Sequence, residues 1–202
     1  ADDNFNMTRR LRILSIKEKG KGEKVKVKVK VLMWLCMCMM AITRAEAVNG
    51  QAQESLYLGM AAEADGNFQT AIQHLQYAAQ KGEAKAYLEL GNIYSSGPHK
   101  ALDYAKAKTA FEQAASKGYA GGWYGLGDMY ANGKGMDKND KLAVFYYIKA
   151  AQAFHAQASF YLGSMYAKGG QGVAQNMVLS RTYYEQACLG GWQQGCSKLK
   201  SK

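Results

Sequence analysis

Few side chains in this 202-residue chain have the type and spacing that chemistry requires. The histidines stand at 74, 99 and 155, without an H-x-x-H pair, and the four cysteines at 36, 38, 188 and 196 form no C-x-x-C. Zinc and similar metals need several such ligands converging at short spacings, so no metal site and no cofactor are predicted. A serine with a lysine one helical turn on can act as an activated nucleophile, and Ser197-Lys198-Leu199-Lys200 has that spacing. It lies at the C-terminus with no S-D-N or K-T-G companion, where a fraying tail cannot hold a nucleophile in place. Cys188 and Cys196 are the remaining pair. Eight residues along one helix would part their Cα atoms by about 12 Å, beyond the roughly 7 Å that a bridge tolerates. Gly190-Gly191 interrupts that helix, so Cys188 can end one helix while Cys196 faces it from the next. Two unlinked thiols at small-residue positions are the other reading.

The elements that carry these residues repeat. Leu58-Gly59, Leu90-Gly91, Leu126-Gly127 and Leu162-Gly163 recur at spacings of 32, 36 and 36 residues, and a fixed period in this range means a repeat array. Ala84, Tyr87, Leu88, Leu90, Gly91 and Tyr94 trace one face of a first helix. The glycine falls mid-pattern, which predicts close approach of a neighbouring helix. Asn67, Asp103, Asn139 and Asn176 each precede by eleven residues an Ala-Ala or Ala-Cys pair, and all are good N-cap residues, so a second helix is expected to start behind each. Gly82, Gly118 and Gly191 follow at the C-terminal stop position, where the third copy has Phe154. The unit is an antiparallel helix pair, and the fold class is all-α: four pairs at about 51–82, 83–118, 119–154 and 155–190, with a capping helix in 191–202. Tyr87, Phe111, Trp123, Phe145, Tyr147 and Tyr184 fall on core-facing registers.

These residues resemble the Sel1-like repeat, a relative of the tetratricopeptide repeat whose pattern runs A-x-A-x-x-x-L-G-x-x-Y, then G-x-G-V, then an aromatic-rich helix ending in A-A-x-x-G. The resemblance covers about 51–198. Copies three and four match best, with Gly135-Met136 and Gly172-Val173 in the loop. Copy one has Ala62 in place of the tyrosine, and copy two has Gly97-Pro98-His99 in place of G-x-G. The resemblance implies a right-handed α/α solenoid that acts by offering surface. It also implies a disulfide between Cys188 and Cys196, as in the secreted cysteine-rich branch, stabilising the last helix by about 2.5 kcal/mol. That branch is associated with penicillin binding and β-lactamase activity, which stands as the enzymatic alternative. The chemistry of the chain argues against it.

Charge and hydropathy divide the chain at about residue 47. The net charge is +10, but residues 1–47 hold 11 Lys/Arg against 5 Asp/Glu, and 48–202 hold 15 against 11, so the excess is mostly N-terminal. The repeats show no basic stripe interleaved with aromatics, which argues against nucleic acid as a partner. In 1–47, a long basic region precedes the apolar run 31–42 and then Ala45-Glu46-Ala47, the order of a secretion signal. The run is about a dozen residues, short of the roughly 20 that span a bilayer, so cleavage after Ala47 without a lasting membrane anchor is expected. Cys36 and Cys38 would leave with it. The expected location is periplasmic or secreted.

Binding is then assigned to the outward stripe of the first helices, expected to line the concave side of the solenoid. Helical spacing selects Gln53, Tyr57 and Met60; Lys85, Glu89 and Asn92; Asp128 and Asn132; and Gln157, Tyr161, Ser164 and Lys168. Gly121 and Gly125 are expected to clear space on the same stripe. Such a surface suits an extended peptide, with Asn92 and Asn132 bonding its backbone and Tyr57 and Tyr161 packing its side chains. The expected partner is another protein or peptide, a peptidoglycan-derived peptide among the candidates.

Overall fold

Behind each of the four predicted Asn or Asp starts, a helix begins in the computed structural model of the protein. It describes residues 37, 39, 50–98 and 101–200, so the predicted signal segment apart from Met37 and Met39, its Cys36 and Cys38 included, and His99 lie outside the described residues. Nine helices occur among the described residues of 50–200: α1 (50–64), α2 (Phe68–Gln80), α3 (Ala84–Ser96), α4 (Tyr104–Ser116), α5 (Ala120–Asn132), α6 (Asp140–Gln152), α7 (Ala156–Lys168), α8 (Met177–Leu189) and α9 (Gln193–Lys200). The side-chain oxygens of Asn67, Asp103, Asn139 and Asn176 accept from the backbone N–H groups of Thr70, Lys106, Leu142 and Leu179 at 3.3, 3.0, 3.0 and 3.0 Å. These bonds satisfy donors that a helix start otherwise leaves orphaned. The same cap residues close the hairpin behind them: the N–H groups of Asp103, Asn139 and Asn176 donate to the carbonyls of Tyr94, Tyr130 and Tyr166 at 2.8 to 2.9 Å.

At the other end of α2, α4, α6 and α8 the chain turns through the left-handed region. Gly82, Gly118 and Gly191 have φ of 98°, 82° and 85°, and Phe154 takes the same turn at φ 61°. A side chain there clashes with its own carbonyl, so phenylalanine is the costly choice. The turn is kept because Glu83, Tyr119, His155 and Trp192 each donate to the carbonyl five residues back at 2.9 to 3.1 Å.

Helix pairs stack through glycine. A Cβ on Gly59, Gly91, Gly127 or Gly163 would lie 2.5 to 2.7 Å from the side chain of Leu75, Phe111, Tyr147 or Tyr184 respectively. The Leu-Gly signature is therefore the notch that lets the second helix of each pair press against the first. Each helix packs on the next along the chain, and α3 also meets α5. The core runs through the array as two overlapping clusters, centred on Leu75, Leu90 and Phe111 and on Tyr147 and Leu162, with Trp123 packed against both. The chain is an all-α solenoid. Phe145 corrects the predicted core: it is 49% exposed on the outer face of α6, with the Lys149 ammonium 4.7 Å from its ring. No helix among the described residues is long and apolar enough to cross a membrane.

Candidate functional site

The first helices of the third and fourth pairs, α5 and α7, bring one group of the predicted residues together. Asn132 at the end of α5 and Tyr161, Ser164 and Lys168 on α7 line one cleft of ≈ 220 Å³, closed below by Tyr147 of α6. The loop at its edge is tied down by Asp140, a buried carboxylate that accepts from the N–H of Gln171 at 2.8 Å and pairs with Lys138 at 3.4 Å.

Beneath the cleft, three tyrosines form a triangle. Tyr124–Tyr147, Tyr124–Tyr161 and Tyr147–Tyr161 ring centres are 5.8, 5.9 and 5.8 Å apart. Burial pushes the Tyr124 and Tyr147 hydroxyls well above the ordinary phenol range, and neighbouring Asp128 and Tyr161 add to the effect. These phenols therefore stay protonated and can donate hydrogen bonds. Asp128 accepts from Asn132 Nδ2 at 2.7 Å and from Lys134 Nζ at 2.9 Å. The arrangement is a rigid aromatic platform with fixed polar groups at its rim, suited to holding a ligand by contact and hydrogen bonding.

Tyr124 also stacks on His155, with ring centres 4.8 Å apart. His155 caps α7, its Nδ1 accepting from the N–H of Ala158 at 3.3 Å. Burial holds it below the ordinary imidazole range, in the neutral form that leaves Nδ1 free to accept. Sequence reasoning did not give Tyr124 or His155 a role and treated Tyr147 as core. One signal was available: the registers occupied by Leu88, Phe111 and Glu89 in the second pair hold Tyr124 and Tyr147 in the third and Tyr161 in the fourth.

The other predicted residues lie elsewhere. Asn92 lines a separate cleft of ≈ 490 Å³ with Glu63, Phe68 and Ile93, and donates to Glu89 at 3.1 Å. Glu63 in that cleft is raised above the ordinary carboxylate range by burial and then by Glu89. Tyr57 is 64% exposed, Lys85 and Gln157 are half-buried, Gln53 is exposed, and Met60 packs on the core. Ser164 Oγ lies 3.2 Å from the Tyr184 hydroxyl. One expectation is corrected. Gly121 and Gly125 are buried and clear no space for a ligand, because Leu88 packs against the first and the Phe111 ring against the second. They are notches between repeats, as the mid-helix glycines are within them. Asn92 and Asn132 each donate through Nδ2 to an acceptor on their own helix.

Cys188 and Cys196 are bonded, their Cα atoms 4.7 Å apart, joining α8 to α9. Ser197 Oγ donates to the Gln193 carbonyl at 3.1 Å, one turn back on α9. Among the described residues, no three His, Cys, Asp or Glu side chains converge in a way that would hold a metal ion.

A family model described as the Sel1 repeat matches residues 56–83, 84–119, 124–153 and 156–192. Among solved structures, the chain is similar to a Sel1 repeat protein from Oxalobacter formigenes, at 25% identity and TM-score 0.65, over 73% of this chain and 62% of that one. It is similar to c5321, a protective antigen present in uropathogenic Escherichia coli strains, at 28% identity and TM-score 0.65, over 77% of this chain and 34% of that one. A third likeness is to Helicobacter pylori cysteine rich protein B, at 25% identity and TM-score 0.52, over 63% of this chain and 96% of that one. The chain thus spans less than two thirds of the first two proteins. No curated protein matches the sequence.

Proposed function

The chain belongs to the Sel1 repeat family, and we propose that it is an exported, non-enzymatic interaction module that binds a protein or peptide along the face formed by its first helices. Sel1 repeats commonly mediate protein–protein interaction, and the fold by itself does not choose the partner. The observation that carries the reading is the cleft where Asn132, Tyr161, Ser164 and Lys168 meet above Tyr147. It joins an aromatic floor to fixed polar groups and a lysine, the combination that grips an extended chain by its side chains and backbone. Export is supported by the basic-then-apolar order of residues 1–47 and by the Cys188–Cys196 bond, which persists in oxidising compartments. The partner classes in keeping with this reading are envelope proteins, secreted proteins and peptidoglycan-derived peptides.

Capture from an envelope extract tests it, comparing the wild-type chain with Tyr161→Ala and Lys168→Glu. Retention of one partner by wild type and its loss from both variants is expected, with circular dichroism unchanged. A partner held equally by all three proteins would remove the cleft from the function, and turnover of a chromogenic β-lactam that tracks the purified protein would replace binding with catalysis.

A further inference from the structure

A second receptor surface emerges when the repeats are compared at one register, seven residues after each N-cap. There the third and fourth pairs carry Tyr146 and Tyr183, and the second carries Ala110. Tyr146 stacks on Trp123 at 6.0 Å and 17° and on Tyr130 at 5.5 Å and 10°. Trp123 and Tyr130 are seven residues apart on α5, about 10.5 Å along the axis, so the Tyr146 ring lies between them. Tyr183 stacks on Tyr166 at 5.8 Å and 5°, with Ser159 at the register of Trp123. In the second pair the flanking positions are Tyr87 and Tyr94, with a methyl group where the ring should be. A cleft of ≈ 380 Å³ opens at that place between α2 and α4, floored by Leu90 and Ala110 and walled by the two tyrosines.

We propose that this slot receives an aromatic side chain from an acidic segment of a partner protein, the ring taking the position that Tyr146 fills in the next repeat. The shape of the guest is read from the array itself, since two neighbouring copies seat a tyrosine at the same register. Its charge is read from the rim. The Lys106 ammonium lies 5.6 Å from the Tyr94 ring and the Lys117 ammonium 5.8 Å from the Tyr87 ring. The third pair has Leu142 and Ala153 at those registers, and its own cation stands over the Trp123 ring from Lys149 at 4.5 Å. Asp103 partly neutralises Lys106 at 3.1 Å, and an incoming carboxylate adds to a positive rim. Gln76 Nε2 donates to the Tyr94 hydroxyl at 3.3 Å, which fixes that wall before a guest arrives. The slot contains none of the residues assigned to the first-helix face.

N-acetyl-tyrosine supplies both features, and its amide supplies the ring alone. Titrated into the isotope-labelled full chain, N-acetyl-tyrosine is expected to shift amides around Tyr87, Tyr94 and Thr109 saturably, with a Kd of about 1 mM. The amide should bind about threefold more weakly and N-acetyl-leucine should leave those amides in place. Ala110→Tyr, which supplies the missing ring internally, should raise Tm and abolish the response. Ala110→Leu, a smaller plug, serves the same comparison if the tyrosine variant is not folded. Equal shifts with N-acetyl-leucine, no saturable shift up to roughly 10 mM, or an unchanged response in the plugged variant would each overturn the proposal.

Discussion

The second and third helix pairs share a backbone plan but close it differently. In the second pair, Tyr87 and Tyr94 face Ala110 across an open cleft, and the turn out of α4 is made by Gly118. In the third, Trp123 and Tyr130 hold the Tyr146 ring, Tyr124 and Tyr147 extend an aromatic cluster toward Tyr161, and the turn out of α6 is forced through Phe154. The first helices of both pairs, α3 and α5, start without a side-chain cap, at Glu83 and Tyr119, whereas His155 caps α7 of the fourth pair. The lesson is that the repeat fixes where helices lie, and single side chains at matched registers decide whether the space between them is core or cleft.

The sharpest way to break that contrast is Tyr146→Ala, which should make the third pair resemble the second. Loss of a half-buried ring stacked on two others is expected to cost about 3 kcal/mol, read as a lower urea midpoint. A cost near zero would mean that the stack is decorative and the contrast is one of shape alone. Next in size, Asn139→Ala removes the side-chain acceptor for the Leu142 N–H and should cost about 1 kcal/mol, with Asn139→Asp close to neutral. Phe154→Gly should go the other way. It relieves the left-handed strain of a residue that is 89% exposed, against a partly offsetting gain in unfolded-chain freedom, for a net stabilisation of about 0.5 kcal/mol.

The smallest effect concerns pH. Because burial lowers the His155 pKa from 6.5, the unfolded chain takes up its proton first as pH falls. Stability should therefore decline as pH drops below 6.5 and stop declining below the folded-state value. His155→Asn keeps an acceptor at the cap and removes the titration, so its urea midpoint should lose that part of the slope between neutral and acidic buffer. An identical slope in the variant would assign the acid sensitivity to other groups.

How far the sequence was legible follows from the range of each interaction. The four N-caps and the glycine stops were readable because a cap is a bond between residues three apart, written locally and repeated four times. The Leu-Gly notches were readable because a mid-helix glycine carries a cost that only close packing explains. Phe145 was misread because its register points inward in an ideal helix pair, whereas here it ends under Lys149 at the surface. Gly121 and Gly125 were misread for a related reason: sequence shows that a side chain is missing but not whether a ligand or Phe111 of another helix fills the gap.

Taken alone, the sequence determined the repeat, the starts of the second helices and the all-α solenoid, because these rest on periodicity and near-neighbour bonds, and its repeat motifs carried the resemblance to the family. Only the tertiary structure decided that Asn132, Tyr161, Ser164 and Lys168 share a cleft, that three tyrosines meet beneath them and that Ala110 leaves a slot. Those facts depend on how far one helix sits from the next, a distance set by side chains well separated in sequence, and no local pattern encodes it.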